Sequence, residues 1–236
     1  MEKSPVPYPQ LLKAVRALSA RYVERRAGLA ERSALDSAGK RAAFAAYYAP
    51  IHFFTTRGIV QHLQPRPIQR LIDFGCGTGT ASAAWALECH PRPTLLGVDE
   101  SGWAIGETAR TWRAHGLEGR VRRGDLVEAA DRASRAVGHE PTGWLFAWSV
   151  NELAATARDR LLRILAGRRP SVSLLVIEPL ARSVTPWWDD WVQALGGAAG
   201  EWRLDVDLPP ELARIRADAG FRGDALTART LWCPRL

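Results

Sequence analysis

The apolar positions of this chain recur at helical spacing before residue 64 and gather into short continuous runs after it. In the first part, Leu11, Val15 and Leu18 are separated by three or four residues, a spacing that predicts one buried face of a helix. We expect a first helix from about residue 8 to Gly28, a second from about Ser33 to Ala49 that stops before Pro50, and a third from Ile51 to Leu63.

From residue 68 onward, apolar runs alternate with amphipathic stretches. Continuous runs such as 174–177 are typical of parallel strands buried on both faces, so the pattern predicts a doubly wound, mostly parallel α/β sheet. The predicted strands are 70–74, 94–98, 119–123, 143–149, 171–177, 201–206 and 225–232. The predicted helices are 79–90, 102–115, 126–137, 154–166, 185–195 and 209–219. We therefore divide the chain into a helical extension or lid at 1–67 and an α/β domain at 68–236.

Charge changes this picture at one end of the chain. Residues 1–70 contain 12 Lys and Arg against four Asp and Glu, so they hold the whole basic excess behind the net charge of +7. A cationic segment can attract RNA through its phosphates, but an ordinary solvated helix face explains the charge as well. Cys76, Cys89 and Cys233 follow no metal-ligand spacing, and no apolar run reaches the roughly 18 residues of a membrane span. We expect a soluble cytoplasmic protein without a metal site.

The segment after the first predicted strand has the most specific chemistry. Asp73 is followed by glycine at every second position, Gly75, Gly77 and Gly79, and then by an alanine-rich helix. Glycines at this place let the backbone approach a ligand at the carboxyl end of a strand. The spacing fails the dinucleotide pattern G-x-G-x-x-G and lacks the Gly-Lys-Ser/Thr of a phosphate-binding loop.

The pattern Asp-x-Gly-x-Gly-x-Gly resembles the first motif of class I S-adenosylmethionine (SAM)-dependent methyltransferases. Three later segments are similar to that superfamily at the following strand ends: 99–101, 123–126 and 147–152. The resemblance covers about residues 68–236 and implies a Rossmann-like sheet of seven strands, the last one antiparallel. It also implies SAM as cofactor and S-adenosylhomocysteine as product. The cofactor-binding residues it implies are Asp73, Gly75, Cys76, Gly77, Gly79, Asp99, Glu100, Asp125, Leu126, Trp148 and Ser149.

In that superfamily the acid at the position of Asp99 binds the ribose hydroxyls, and an acid near Asp125 lies by the adenine amino group. A carboxylate can accept two hydrogen bonds from a vicinal diol, which suits the first role. Asp99 and Asp125 could instead be ordinary helix N-caps. A nucleotide-binding α/β protein that does not use SAM is the remaining alternative for the fold.

The methyl acceptor is less well defined. Asn151 and Glu152 follow the fourth predicted strand and could orient or deprotonate an acceptor, although Asn151 could also cap the next helix. An Asp/Asn-Pro-Pro-Tyr/Phe motif, which amino-group enzymes have here, is absent. Aromatic residues before the domain and after its fifth predicted strand could form an acceptor pocket or could belong to the core. These pocket candidates are Tyr47, Tyr48 and His52, with Phe53 and Phe54 beside them, and Trp187 and Trp188, with Trp191 beside them.

A narrower resemblance is to the methyltransferase-like proteins of the mitochondrial small ribosomal subunit and their bacterial relatives. It rests on segments 47–52, 150–153 and 176–179, and the cysteine cluster of many of those proteins is absent. We therefore expect methyl transfer to RNA or to a small molecule by in-line displacement. The alternative is a non-catalytic SAM-binding factor associated with ribosomal RNA. The sequence predicts no membrane partner and leaves the oligomeric state open.

Overall fold

A computed structural model of the chain describes residues 6–24, 37–136, 138–221, 223 and 225–235, with the side chains of 20–24 left undescribed. The predicted end of the first helix at Gly28 and the start of the second at Ser33 lie outside these residues. Among the described helices, none combines the length and the hydropathy that crossing a membrane would require.

Seven strands within the described residues form one sheet in the order β3-β2-β1-β4-β5-β7-β6. Neighbouring strands are parallel except that β7 runs antiparallel to both β5 and β6. This confirms the predicted doubly wound sheet with its reversed last strand. The strands are β1 (Arg70–Phe74), β2 (Thr94–Asp99), β3 (Gly119–Arg123), β4 (Thr142–Ala147), β5 (Val172–Glu178), β6 (Ala198–Leu204) and β7 (Leu226–Cys233).

Helices cover both faces of the sheet because its central strands are apolar on both sides. All seven residues of β5 are buried, whereas the arginine-rich edge strand β3 is mostly exposed. A strand with charged side chains at a sheet edge is protected against pairing with other chains. The helices are α1 (Tyr8–Glu24), α2 (Ala38–Ala43), α3 (Ala49–Leu63), α4 (Thr80–Leu87), α5 (Gly102–Ala114), α6 (Leu126–Ala136), α7 (Ala155–Ala166), α8 (Trp188–Leu195) and α9 (Pro210–Asp218).

Two cores lie on opposite faces of the sheet. Helices α6, α7 and α8 bury side chains such as Leu161 and Trp191 against one face. Helices α3, α4 and α5 bury Ile59, Trp85 and Trp112 against the other. A third apolar cluster joins α1 and α2 to α9 through residues that include Val15 and Ile215. The N-terminal helices are thus packed on the α/β layer; whether residues 1–67 act as a separate extension or lid stays a prediction.

The expected break before Pro50 is wrong. Helix α2 passes through a π-helical segment, Phe44–Tyr48, directly into α3, and Pro50 lies in the first turn of α3. A proline inside a helix loses one hydrogen bond and its ring collides with the carbonyl four residues earlier. The wider turn of the π segment changes the hydrogen-bond register just before this position, so the helix axis continues through the proline.

Proline has the expected effect at the start of α8. The sequence predicts a helix from residue 185, but the helix begins at Trp188 after a short 3-10 turn at Arg182–Val184. Pro186 disfavours helical backbone at Thr185, which delays the start of the helix.

Substitution of Leu161 by alanine tests the core beneath α7. Leu161 is fully buried among the side chains of the α6–α8 face. We expect Leu161→Ala to lower the free energy of unfolding by about 2–5 kcal/mol, because the lost contacts leave a cavity. Denaturant unfolding measures this change. Arg163→Ala, at an exposed position on the same helix, should change stability by less than about 0.5 kcal/mol; equal losses would contradict this packing.

Candidate functional site

The residues 75–79, called here the glycine turn, connect β1 to α4 at the carboxyl edge of the sheet. The amides of Gly75 and Cys76 donate to the carbonyl of Val98 at 2.8 and 3.0 Å, which ties the turn to β2. Gly75 has φ +76°, and a Cβ there would lie 2.6 Å from the Cβ of Ser149. Only glycine fits, since both the backbone conformation and the contact with the β4 end exclude a side chain.

Two residues of α5 hold the glycine turn from its other side. The hydroxyl of Thr108 donates to the carbonyl of Gly77 at 2.9 Å, and the indole N–H of Trp112 donates to the carbonyl of Gly79 at 3.1 Å. Sequence reasoning missed both residues. Thr108 and Trp112 are four residues apart on a predicted helix and therefore lie on the same face. This spacing is the sequence feature that could have indicated a shared role.

Asp99, at the end of β2, is oriented by two backbone amides. Its Oδ2 accepts from Gly77 at 2.9 Å and its Oδ1 from Ser101 at 2.8 Å. Burial raises the pKa of Asp99, and these two N–H groups offset the increase in part. The N-cap of α5 is Ser101, whose hydroxyl accepts from Ala104, so the alternative role of Asp99 as the N-cap is wrong. Each carboxylate oxygen keeps a lone pair that can accept from a ligand hydroxyl.

Asp73, in β1 directly before the glycine turn, is buried and makes no hydrogen bond of ordinary geometry to the described residues. It is 1% exposed, and neither carboxylate oxygen has a hydrogen-bond partner among the described residues. Burial raises its pKa to about 7; weak donation from the hydroxyl and amide of Ser82, outside ordinary hydrogen-bond geometry, lowers it in part, and the charge of Asp99 adds to the increase. A buried carboxylate with both oxygens unsatisfied is costly, so a cationic or hydrogen-bonding ligand would stabilise it. No described atom lies within 4 Å of where a Cβ of Gly77 would be, which leaves space above the turn.

The segment after β4 is fixed from two sides. The hydroxyl of Ser149 donates to the carbonyl of Phe74 at 2.9 Å. Oε1 of Glu178, a fully buried side chain at the end of β5, accepts from the amides of Val150 and Asn151 at 3.0 and 3.1 Å. Sequence reasoning did not assign Glu178 this role, because the contact crosses from one strand end to the next.

Asn151 and Glu152 belong to a 3-10 turn held by that carboxylate. Asn151 is half-buried and Glu152 is exposed. The N-cap of α7 is Ala154, so the alternative in which Asn151 caps this helix is wrong. Their catalytic role stays a prediction.

The remaining predicted cofactor residues surround the glycine turn to different degrees. Leu126 is close to it, since its Cδ2 lies 3.4 Å from where a Cβ of Gly75 would be. Asp125 caps α6 by accepting from the amide of Glu128 at 2.7 Å, which confirms its N-cap alternative and leaves its second oxygen for other contacts. Glu100 is exposed. The thiol of Cys76 is buried, which raises its pKa and disfavours a nucleophilic thiolate.

The aromatic candidates separate onto the two faces of the sheet. His52 stacks on Trp148 with ring centroids 3.8 Å apart, and Tyr48 lies beside His52. Tyr47 stacks on Phe221 with ring centroids 5.2 Å apart and meets Tyr48 edge-on at 5.1 Å. Trp187 and Trp188 pack with α7 on the opposite face. The structure thus brings Tyr48 and His52 together with Trp148 and does not join them to the tryptophans that follow β5; all acceptor roles stay predictions.

No group of three or more His, Cys, Asp or Glu side chains in the described part of the chain is arranged to hold a metal ion. Cys76, Cys89 and Cys233 are separate buried thiols.

Comparison with known proteins gives a consistent result. Residues 54–137 match the family model of the methyltransferase small domain. A ribosomal RNA small subunit methyltransferase C of Stutzerimonas stutzeri is 36% identical over 83 residues, which is 35% of this chain and 25% of the relative. The same enzyme of Pseudomonas putida is 38% identical over 73 residues, or 30% of this chain and 21% of the relative. The match thus spans about a quarter of the length of these curated relatives.

Solved structures share the fold at low sequence identity. An O-methyltransferase family protein from Burkholderia thailandensis superposes with a TM-score of 0.56 at 15% identity, covering 95% of this chain and 71% of that protein. Precorrin-6y C5,15-methyltransferase from Geobacter metallireducens gives a TM-score of 0.50 at 9% identity, covering 75% of this chain and 86% of that one. These similarities establish the fold alone.

Substitution of Glu178 tests how the post-β4 turn is held. In Glu178→Leu two buried amides lose their acceptor, so we expect the free energy of unfolding to fall by about 2–5 kcal/mol. Glu178→Gln retains an acceptor oxygen and should cost roughly half as much or less. Denaturant unfolding measures both variants. The contacts would be contradicted if glutamine and leucine were equally destabilising.

Asp73 should make the ligand-free protein less stable as pH rises. In the unfolded chain it ionises near its ordinary pKa of about 4, whereas in the folded protein it stays protonated up to about 7. The folded state then holds the additional proton between these values, so the free energy of unfolding decreases as pH increases through this range. We expect Asp73→Asn to reduce that slope, measured by denaturant unfolding at about pH 5 and about pH 7.5. An unchanged slope would mean that Asp73 is ionised in the folded protein.

Three independent features coincide in this chain. The sheet has the reversed strand β7 at its characteristic place between β5 and β6. The glycine turn lies between an unsatisfied Asp73 and an oriented Asp99, which fits a ligand with a cationic group and a diol. The region around both acids matches the methyltransferase small domain. The described chain thus has the fold of class I SAM-dependent methyltransferases, and its residues 54–137 match the methyltransferase small domain.

Proposed function

We propose that this protein binds SAM at the glycine turn and transfers its methyl group to RNA. The observation that supports SAM binding most directly is the buried carboxylate of Asp73, whose two oxygens have no partner among the described residues. SAM has a sulfonium and an ammonium group, either of which would favour the ionised carboxylate. The cost of burying Asp73 would then be recovered on ligand binding.

Asp99 is proposed to bind the ribose of SAM. The amides of Gly77 and Ser101 hold its carboxylate in one orientation before any ligand arrives. Such preorganisation reduces the entropy that binding would otherwise cost. Because Gly77 also belongs to the glycine turn, the ribose contact and the backbone that approaches the ligand are fixed relative to each other.

The post-β4 turn is proposed to position the acceptor. SAM, when bound, supplies a methyl group already activated by its sulfonium, and S-adenosylhomocysteine is the product. The protein therefore has mainly to align the acceptor and exclude water. Glu178 fixes the backbone of Asn151, whose amide side chain can accept from an acceptor N–H or O–H. Glu152, which is exposed, could receive a proton that the acceptor releases.

RNA is the acceptor class that two observations favour. Relatives that match about a third of this chain are named ribosomal RNA small subunit methyltransferases. Residues 1–70 hold an excess of eight positive charges, from 12 Lys and Arg against four Asp and Glu. Phosphate contacts by such residues would release counterions and make RNA affinity strongly dependent on salt.

A methyl-transfer assay tests the proposal as a whole. The full chain is incubated with SAM labelled in its methyl group and, separately, with total RNA, protein and small-molecule extracts. We expect label in the RNA fraction. Label in small molecules alone would overturn the RNA acceptor and leave methyl transfer in place. SAM binding without any transfer would instead favour the non-catalytic ribosomal RNA-associated factor.

Asp99→Ala tests the cofactor site. We expect it to weaken S-adenosylhomocysteine binding by about 1–3 kcal/mol, because charged hydrogen bonds to the ribose are lost. Asp159→Ala, which removes an exposed carboxylate from α7, is the matched control and should bind like the parent. Calorimetry measures both. Unchanged affinity in Asp99→Ala would move the ribose contact elsewhere, and failure of the parent to bind either SAM or S-adenosylhomocysteine would overturn the proposed function.

A further inference from the structure

A cluster of aromatic rings includes Trp148, which directly precedes Ser149, and the SAM contacts proposed above for Asp73 and Asp99 do not involve it. This aromatic cluster consists of Phe44, Tyr48, His52, Trp103 and Trp148. The imidazole of His52 lies flat on the indole of Trp148, with centroids 3.8 Å apart and an interplanar angle of 6°. The ring of Phe44 packs edge-to-face with His52 and with Trp103, with centroids 5.7 and 6.4 Å apart. The cluster thus extends from the start of α5 to the end of β4.

The backbone of Trp148 is strained. Its φ of +55° is in the left-handed region, which is rare for a bulky residue. Its amide donates to the carbonyl of Ile177 at 2.7 Å, which keeps the backbone in this conformation at the end of the sheet. Strain of this kind is concentrated at binding and catalytic sites. It is used here to place a large indole ring at one specific position.

That position is next to the proposed methyl donor. Trp148 directly precedes Ser149, whose side chain fills the space against Gly75. His52 approaches from α3, which packs with α4, the helix that begins at the glycine turn. Trp148 is thus the sequence neighbour of the residue that contacts Gly75 in the turn proposed to hold SAM.

We propose that the face of Trp148 now covered by His52 binds the ring of the methyl acceptor, and that this ring is a planar heteroaromatic such as a nucleobase. The inference rests on the proposed methyl transfer. His52 is itself a planar heteroaromatic ring, so its stacking shows that this indole face accepts one. The rings around His52 desolvate it and lower its pKa to about 3, so the imidazole is neutral like a nucleobase. Base–aromatic stacking is a general means of holding an unstacked base.

A ring of this kind could come from two sources, a base in single-stranded RNA or a free small heteroaromatic molecule. The test therefore uses the full chain saturated with S-adenosylhomocysteine, so that the adenosine-binding region is already filled. The protein is titrated with a single-stranded RNA of mixed sequence, with an abasic strand of the same length and charge, and with the four free nucleosides. The abasic strand retains the phosphates and removes the rings.

Substitutions of Trp148 separate stacking from apolar packing. Trp148→Phe retains a π face and Trp148→Leu retains only apolar volume. We expect leucine to weaken binding of the ring-containing ligand by roughly 5- to 150-fold and phenylalanine by only about threefold. Denaturant unfolding of each variant reports whether the fold is intact, because Trp148 is itself among the residues that the resemblance implies for the cofactor.

His52→Ala provides a second measurement that does not alter Trp148. If the ligand ring replaces the imidazole, removing His52 exposes the indole face and should tighten binding by about threefold or more. Weaker ligand binding in His52→Ala would overturn the idea that the ligand ring takes the place of the imidazole. This variant can be measured even if Trp148→Leu does not fold.

The outcomes distinguish this inference from the proposed function. If RNA binds tightly and the abasic strand binds much more weakly, the inference is supported and the ring belongs to an RNA base. If only the nucleosides bind, the inference is supported and the ring belongs to a small molecule. Equal binding of RNA and abasic strand without nucleoside binding would overturn it, as would unchanged binding in Trp148→Leu. In those cases the parent still binds S-adenosylhomocysteine, whereas loss of that binding would overturn the proposed function itself.

Discussion

The contact between Gly75 and Ser149 is the constraint on which the candidate site depends. These residues follow β1 and β4, strands that lie side by side, and no space remains between them for a Cβ at Gly75. The Ser149 hydroxyl also donates to the carbonyl of Phe74, which fixes the β4 end against the β1 end. The glycine turn and the segment that precedes Asn151 therefore cannot move independently, as alignment of a donor with an acceptor would require.

Three carboxylates at this edge of the sheet differ in how they are satisfied. Glu178 accepts from two backbone amides and thereby determines the shape of the post-β4 turn. Asp99 accepts from the glycine turn and from Ser101 and retains lone pairs for a ligand. Asp73 has no partner among the described residues. Burying a carboxylate costs the least free energy when its oxygens are hydrogen-bonded. The different hydrogen bonding of these three acids therefore separates Glu178, which shapes the site, from Asp99 and Asp73, which are available to a ligand.

The sequence was informative where the signal is local. Continuous apolar runs located β1 and β5, and the glycine spacing located the turn, because each depends on neighbouring residues. It was wrong at Pro50, where a π segment changes the helix register in a way that no period of apolar residues reveals. It did not predict the contacts of Thr108, Trp112 and Glu178, since they join residues 28 to 33 positions apart and depend on how strands are ordered.

The aromatic cluster shows why the acceptor side is harder to derive than the donor side. The donor side is built on strand ends and one turn, whose geometry the sheet imposes on any chain of this fold. The proposed acceptor side depends on the π segment and on α3, which packs against α4 and brings His52 onto Trp148. Aromatic residues at helical spacing belong to the core in most proteins. What distinguishes Trp148 is a conformation of its own backbone, φ +55°, that core packing alone does not require.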